Sequence, residues 1–236
     1  IIHLAAMAGV RPSIENPDLY TQVNLNGTVN LLDAAVANGV EKFLFASSSS
    51  VYGNNEKTPF AESDNVDHPI SPYAASKKAG ELICHTYHHL YQLPITCLRF
   101  FTVFGPRQRP DLAISKFLRM VGAGQAIPVF GDGSTSRDYT FVADIVDGIR
   151  KSLANCSSYH IYNLGGDSPV TLAQLIATIE KVVGKEAIID RKPMQPGDVN
   201  ITWADLTKPR AELGYAPQTS LEAGITKQWE WIQAQG

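Results

Sequence analysis

Short apolar runs and longer stretches of mixed polarity alternate along the first hundred residues. Residues 1–6, 42–48 and 95–104 are β-rich runs, and 20–38 and 73–91 between them repeat apolar positions every three or four residues. The first kind predicts strands and the second amphipathic helices. Asn38-Gly39 is a helix-stop signal, and Pro94 limits the next boundary. Short strands separated by single helices predict a doubly wound, Rossmann-type parallel sheet covered on both faces, in an α/β fold. Beyond Phe104 the rhythm breaks at Gly105, Pro106 and Pro110. The expected division is therefore a Rossmann domain over 1–104 and a smaller α/β substrate domain over 105–236. Residues 140–168 are expected to return to the first sheet, with a helix at 142–153 and a strand at 159–164. Further helices are predicted at 171–183 and 221–235.

The chain opens on the apolar run Ile-Ile-His-Leu-Ala-Ala with no leading turn. A doubly wound sheet carries a Gly-rich pyrophosphate turn after its first strand, and no G-x-G-x-x-G occurs here. Gly131-Asp132-Gly133 is followed by Ser134 and Thr135 in place of a helix, so it reads as a turn. The expectation is a chain entered part-way through the fold, N-terminally truncated by roughly 70 to 80 residues.

The 236 residues are 44% hydrophobic and 18% charged, with a formal net charge of -3. That profile fits an ordinary globular protein, and the scattered cations form no basic stripe for a nucleic-acid partner. Cys84, Cys97 and Cys156 are odd in number and set among apolar residues. They read as thiols of a reducing compartment, with no disulfide framework. No apolar run reaches the roughly 18 residues of a membrane span, so no membrane association and a cytoplasmic location are expected.

Candidate chemistry begins with Tyr73-Ala74-Ala75-Ser76-Lys77, which puts a phenol and an ammonium on one helix face. A phenol with a reference pKa near 10 needs roughly 4 to 5 kcal/mol of favourable interaction to act as a base near neutrality. Lys77 supplies part of that, and an oxidised nicotinamide nearby would supply more. The spacing alone is weak, because such pairs arise often by chance. Its neighbour strengthens it: Ser47, Ser48, Ser49 and Ser50 follow an apolar strand at the sheet end where ligands bind.

With H-L-A-A at 3–6, S-S-S-S-V-Y-G at 47–53 and Y-A-A-S-K at 73–77, the chain resembles the extended short-chain dehydrogenases/reductases of the NAD-dependent epimerase/dehydratase family. V-N-L-N-G-T at 23–28, R-F-F-T-V-F-G-P-R at 99–107, R-D-Y at 137–139 and P-G-D at 196–198 extend the likeness. The resemblance implies NAD as cofactor, a UDP-sugar substrate and a homodimer. It makes Ser48, Tyr73 and Lys77 catalytic, and it places NAD against Leu4, Ala5, Ala6, Ser47, Tyr73, Lys77 and Phe100. Thr102, Arg109, Val129, Phe130, Arg137 and Asp198 become substrate contacts, with Ser49 and Ser50 beside the sugar. One departure is Gln195, where the family often has an arginine.

Within that family the fold does not choose the reaction. The dehydratases it includes carry an Asp-Glu pair directly after the catalytic Thr, and similar decarboxylases keep the Glu, whereas Ser49 and Ser50 stand here. A C4 epimerase needs only one base and one cofactor. UDP-glucuronate 4-epimerases resemble the chain in R-P-D at 109–111, in M-Q-P-G-D-V at 194–199 and in Gln195 itself. A β-keto acid intermediate must have its carboxylate held, and Ser49, Ser50 and Thr102 offer neutral donors. The same hydroxyls would serve a neutral sugar, so UDP-glucose/UDP-galactose epimerisation stays open, as does a noncatalytic sugar-nucleotide binder. His85, His88 and His89 share a helix without a completing carboxylate cluster, so no metal is expected. Trp203, Trp229 and Trp231 read as packing residues, and Glu62, Asp64 and Asp67 as a solvated loop.

Overall fold

A computed structural model describes residues 1–193 and 200–235. The chain divides into two compact units, one of Ile1–Phe101, Asp147–Leu164 and Ala204–Tyr215, the other of Thr102–Val146, Gly165–Trp203 and Ala216–Gly236. The return of Ala204–Tyr215 to the first unit was not anticipated from the sequence.

The first unit is built on four parallel strands in the order Ile2–His3, Phe43–Ser48, Ile95–Phe100, Tyr159–Leu164. The middle two strands are buried along almost their whole length, as expected where helices cover both faces of a parallel sheet. The predicted first strand is shorter than residues 1–6, ending at His3, which pairs with Phe45. Instead of one helix over 20–38 there are Pro17–Tyr20, a π-helical stretch Thr21–Asn26, and Gly27–Ala37. The helix does stop as the sequence indicates. Gly39, at φ 62°, lets its own amide reach Val36 O at 3.2 Å and that of Val40 reach Ala35 O at 2.9 Å. An additional short helix, Val10–Glu15, precedes these. The predicted helix at 73–91 is Pro72–Tyr91, with Pro72 at its start and Ser71 Oγ capping the Ala74 amide at 3.1 Å. Leu32, Phe43, Phe45, Cys84, Ile95 and Cys97 form the core between sheet and helices.

The second unit holds a three-stranded sheet, Thr102–Phe104 with Ser136–Phe141 and Pro169–Thr171, and a two-stranded one, Ile127–Phe130 with Ile189–Lys192. The single strand predicted at 95–104 is thus two strands in different sheets, broken at Phe101. That residue remains with the first unit, buried, its amide bonded to Leu164 O at 3.0 Å. Helices Leu172–Val183 and Leu221–Gln233 lie where predicted, the former opening on a capping box between Thr171 and Gln174. The Ala113–Gly122 helix and the strands flanking the Gly131 turn were not predicted. Phe104, Ile114, Leu118, Leu175, Ile179 and Ile225 form this unit's core, and Trp229 and Trp231 pack on it.

Candidate active site

The Phe43–Ser48 strand ends at its carboxyl edge in Ser48, whose Oγ caps a short 3-10 turn, Ser49–Tyr52. That oxygen accepts from the Ser50 amide at 3.2 Å and the Ser50 hydroxyl at 2.9 Å, which leaves the Ser48 proton to be donated elsewhere. Register places Phe100 directly beside Ser48, at the end of the neighbouring strand and partly exposed.

The Pro72–Tyr91 helix packs on the same strand. Tyr73 lies in its first turn, where the helix dipole favours an anion, and its ring meets that of Tyr20 edge-on at 6.1 Å. Lys77, one turn later, is buried, with Nζ 6.0 Å from the centroid of the Tyr73 ring. It donates to Ala46 O at 2.7 Å, two residues before Ser48. Burial lowers the Lys77 pKa to about 8. The close approach depends on Gly80: a Cβ there would overlap the ring of Phe45. Desolvation, then the Lys77 charge, lowers the pKa of buried His3, whose Nε2 lies 3.0 Å from Thr28 Oγ1.

Leu4, Ala5 and Ala6 continue from the Ile2–His3 strand at this same sheet end, Leu4 and Ala5 exposed. The backbone just beyond them is fixed by a residue whose role the sequence did not reveal. Asn24, buried in the π-helical stretch, accepts from the Met7 amide at 2.8 Å and donates to Met7 O and to Ser76 Oγ, each at 3.0 Å. It ties the candidate cofactor segment to the Tyr-Lys helix, and π-helical turns are frequent at functional sites. Ser47, the other cofactor candidate on the serine run, is buried. Strand alternation turns its hydroxyl inward, onto Glu81 at 2.6 Å.

In the second unit, Thr102 opens its strand opposite Tyr139, partly exposed. Arg137 lies two residues earlier on the strand of Tyr139 and donates to Ser136 O at 2.8 Å. Its neighbour Asp138 is buried and accepts from the Gly166 amide at 2.6 Å and the Asp167 amide at 3.1 Å. Arg109 forms a two-pronged bond with Asp111, at 3.0 and 2.7 Å, which lowers the Asp111 pKa. Val129 does not present its side chain as a ligand contact would: alternation points it into the core and leaves Phe130 the partly exposed member of the pair. Asp198 and the M-Q-P-G-D-V run lie outside the described residues.

Among the described residues no group of three or more His, Cys, Asp or Glu is placed to hold a metal. His85 meets the Tyr159 ring edge-on at 5.0 Å, and His88 Nδ1 lies 2.9 Å from Leu93 O. Glu62 departs from the solvated reading. It is partly buried and accepts from the Asn163 amide at 2.8 Å, and desolvation raises its pKa. Asp64 organises its loop through Ala61, Asn55 and Lys57. No helix among the described residues is long and apolar enough to cross a membrane.

Residues 1–228 match the family described as GDP-mannose 4,6 dehydratase. The chain is 44% identical over 232 residues to a UDP-glucuronate 4-epimerase of Thermodesulfobacterium geofontis, covering 98% of this chain and 71% of that one. It superposes at a TM-score of 0.93, with 35% identity, on a UDP-glucuronic acid 4-epimerase from Bacillus cereus in complex with UDP-glucuronic acid and NAD, covering 100% of this chain and 76% of the other. A UDP-N-acetylglucosamine 4-epimerase from Methanobrevibacter ruminantium M1, in complex with UDP-N-acetylmuramic acid, matches at a TM-score of 0.95 and 31% identity, over 100% and 76% of the two chains. The chain belongs to the family described as GDP-mannose 4,6 dehydratase, a nucleotide-sugar branch of the extended short-chain dehydrogenases/reductases.

Proposed function

We propose that the protein is an NAD-dependent UDP-sugar 4-epimerase that prefers UDP-glucuronate. The observation that carries this reading is a buried Lys77 held between Tyr73 and the strand that ends in Ser48, followed by two neutral hydroxyls. A dehydratase needs a second acid and base at those two places; an epimerase does not.

Tyr73, as phenolate, takes the proton from the sugar 4-hydroxyl, and Ser48 donates a hydrogen bond to the same oxygen, keeping its own proton. The Lys77 ammonium and the helix N-terminus stabilise that phenolate. Leu4, Ala5, Ala6, Phe100 and the Lys77 ammonium would hold NAD: the first three lie at the ligand end of the sheet, and an ammonium carries three donors of which Ala46 O takes one. Bound there, NAD would supply reversible hydride transfer at C4 of the sugar, the chemistry by which either face of a 4-keto sugar can be reduced. Ser49 and Ser50 orient a C6 carboxylate, each hydrogen bond to a charged acceptor contributing about 1.5 to 3 kcal/mol. In this reading the first unit is the cofactor half and the second the sugar-nucleotide half. Arg137, Arg109 and Phe130 there are candidates for the nucleotide, and Thr102 for the sugar. The relatives named as UDP-glucuronate 4-epimerases support the acidic substrate.

A UDP-sugar without the carboxylate is the second reading, favoured by the match to the UDP-N-acetylglucosamine 4-epimerase and by hydroxyls that serve an alcohol equally. A homodimer is proposed on the exposed Leu82, Leu90 and Tyr91 of one helix, and a cytoplasmic setting on three free, buried thiols. The test is the complete protein with a panel of UDP-sugars, products read by chromatography. The expected ratio of kcat/KM for UDP-glucuronate over UDP-glucose exceeds one, and a ratio below one transfers the assignment to the neutral sugar. Tyr73→Phe should lose nearly all turnover while keeping substrate affinity; retained turnover removes Tyr73 as the base.

A further inference from the structure

Behind the serine turn runs a column of buried polar groups that the proposed chemistry does not use. Ser47 Oγ donates to Glu81 at 2.6 Å, and Arg99 clasps the same carboxylate through two N–H groups, each at 2.9 Å. A further arm of Arg99 donates to the Tyr52 hydroxyl at 3.0 Å, and Tyr52 donates to Asn163 Oδ1 at 2.7 Å. Glu81 and Arg99 are each only 1% exposed. Stability is a poor reason for such a column, because a buried ion pair costs desolvation that a packed apolar pair avoids.

What the column joins is the better guide. Ser47 precedes Ser48. Glu81 stands one turn beyond Lys77 and two beyond Tyr73 on the same helix face. Tyr52 ends the turn that carries Ser49 and Ser50, and its ring stacks on Phe60 at 4.9 Å. We propose that Tyr52 is a positioning residue whose hydroxyl, bonded to Arg99 and Asn163, locks the serine turn in register with the Tyr73–Lys77 helix. The proposal rests on the epimerase reading above. The turn is held near Ser48 by Oγ and at its far end by Tyr52; release of the far end lets the reacting hydroxyls drift.

The test is Tyr52→Phe in the complete protein with its bound cofactor. Phe60 keeps the ring in place, so the substitution removes the two hydrogen bonds of the hydroxyl without emptying the space the ring fills. Turnover of UDP-glucuronate per NAD-occupied site should fall roughly ten- to a hundredfold, the cost of misplacing a reacting group by about an ångström. KM should stay within about twofold, since uniform binding is untouched. Ser47→Ala, at the other end of the column, should lower turnover in the same direction, and it decides the matter if Tyr52→Phe does not fold. Unchanged turnover per NAD-occupied site overturns the proposal, as does a loss fully accounted for by lost NAD or lost folded protein. A wild-type protein that converts no UDP-sugar overturns the epimerase reading instead, and the same assay shows which has failed.

Discussion

Lys77 is held by two opposing demands. It must be charged to favour the Tyr73 phenolate, yet burial disfavours that charge and brings its pKa to about 8. Between about pH 8 and the ordinary lysine value near 10.4, the unfolded chain therefore binds a proton that the folded chain has lost. Folding stability contributed by this group rises with pH across that window, and the ammonium needed for catalysis disappears over the same range. The free enzyme's kcat/KM should decline above about pH 8. In Lys77→Met the phenol loses the ammonium that favours its charged form, so the small residual rate should rise with pH instead. A pH series on both proteins measures the two slopes; parallel profiles would show that the lysine charge does not govern the tyrosine. The Tyr-Lys spacing was legible in the sequence. Asn24, Glu81 and Tyr52 stood within or near recognised motifs, but nothing in linear order distinguishes a buried hydrogen-bonding side chain from an exposed one.

At the scale of elements, the approach of helix to strand positions that lysine. Gly80 lies where the Pro72–Tyr91 helix meets the buried ring of Phe45, and an added Cβ would overlap the ring tip. Gly80→Ala gains about 1 kcal/mol in helix propensity. Overpacking against Phe45 costs about 1 to 3 kcal/mol, so the net effect is a loss, seen as a Tm lower by a few degrees in a chain of this size. The helix must also move outward, lengthening the contact from Lys77 to Ala46, so kcat should fall with Tm. An unchanged Tm and kcat would mean that Phe45 simply rotates aside. Periodicity located this helix to within a residue at its start, and the structure shows Ser71 capping it and Pro72 opening it. It failed at 95–104, where an unbroken β-rich run is divided between two sheets, and it missed Ala113–Gly122, which follows a Pro-containing loop.

On the whole-molecule scale, the exposed side of that helix carries Leu82 and Leu90 just over two turns apart, 55% and 67% exposed. Large exposed apolar side chains favour burial against another surface, and symmetric dimers are the commonest assembly. Sedimentation of the complete protein should give a dimer, and the double substitution Leu82→Glu with Leu90→Glu a monomer of unchanged secondary structure. A wild-type monomer at micromolar concentration would count against the homodimer.

Local chemistry along the chain determined much of this protein. Hydrophobic period set the sheet strands and the long helices, turn residues set their ends, and the motifs named the serine, tyrosine and lysine of the candidate site. Those features depend on neighbours within a few residues, and so survive in linear order. Only the folded structure decided that Ser47 turns inward to Glu81, that Val129 enters the core while Phe130 does not, and that Glu62 is half-withdrawn from water. It also decided that residues 204–215 return to the first unit. Each of these follows from packing between segments far apart in sequence, where burial and hydrogen-bond partners are chosen by the tertiary arrangement and leave no periodic trace in the chain.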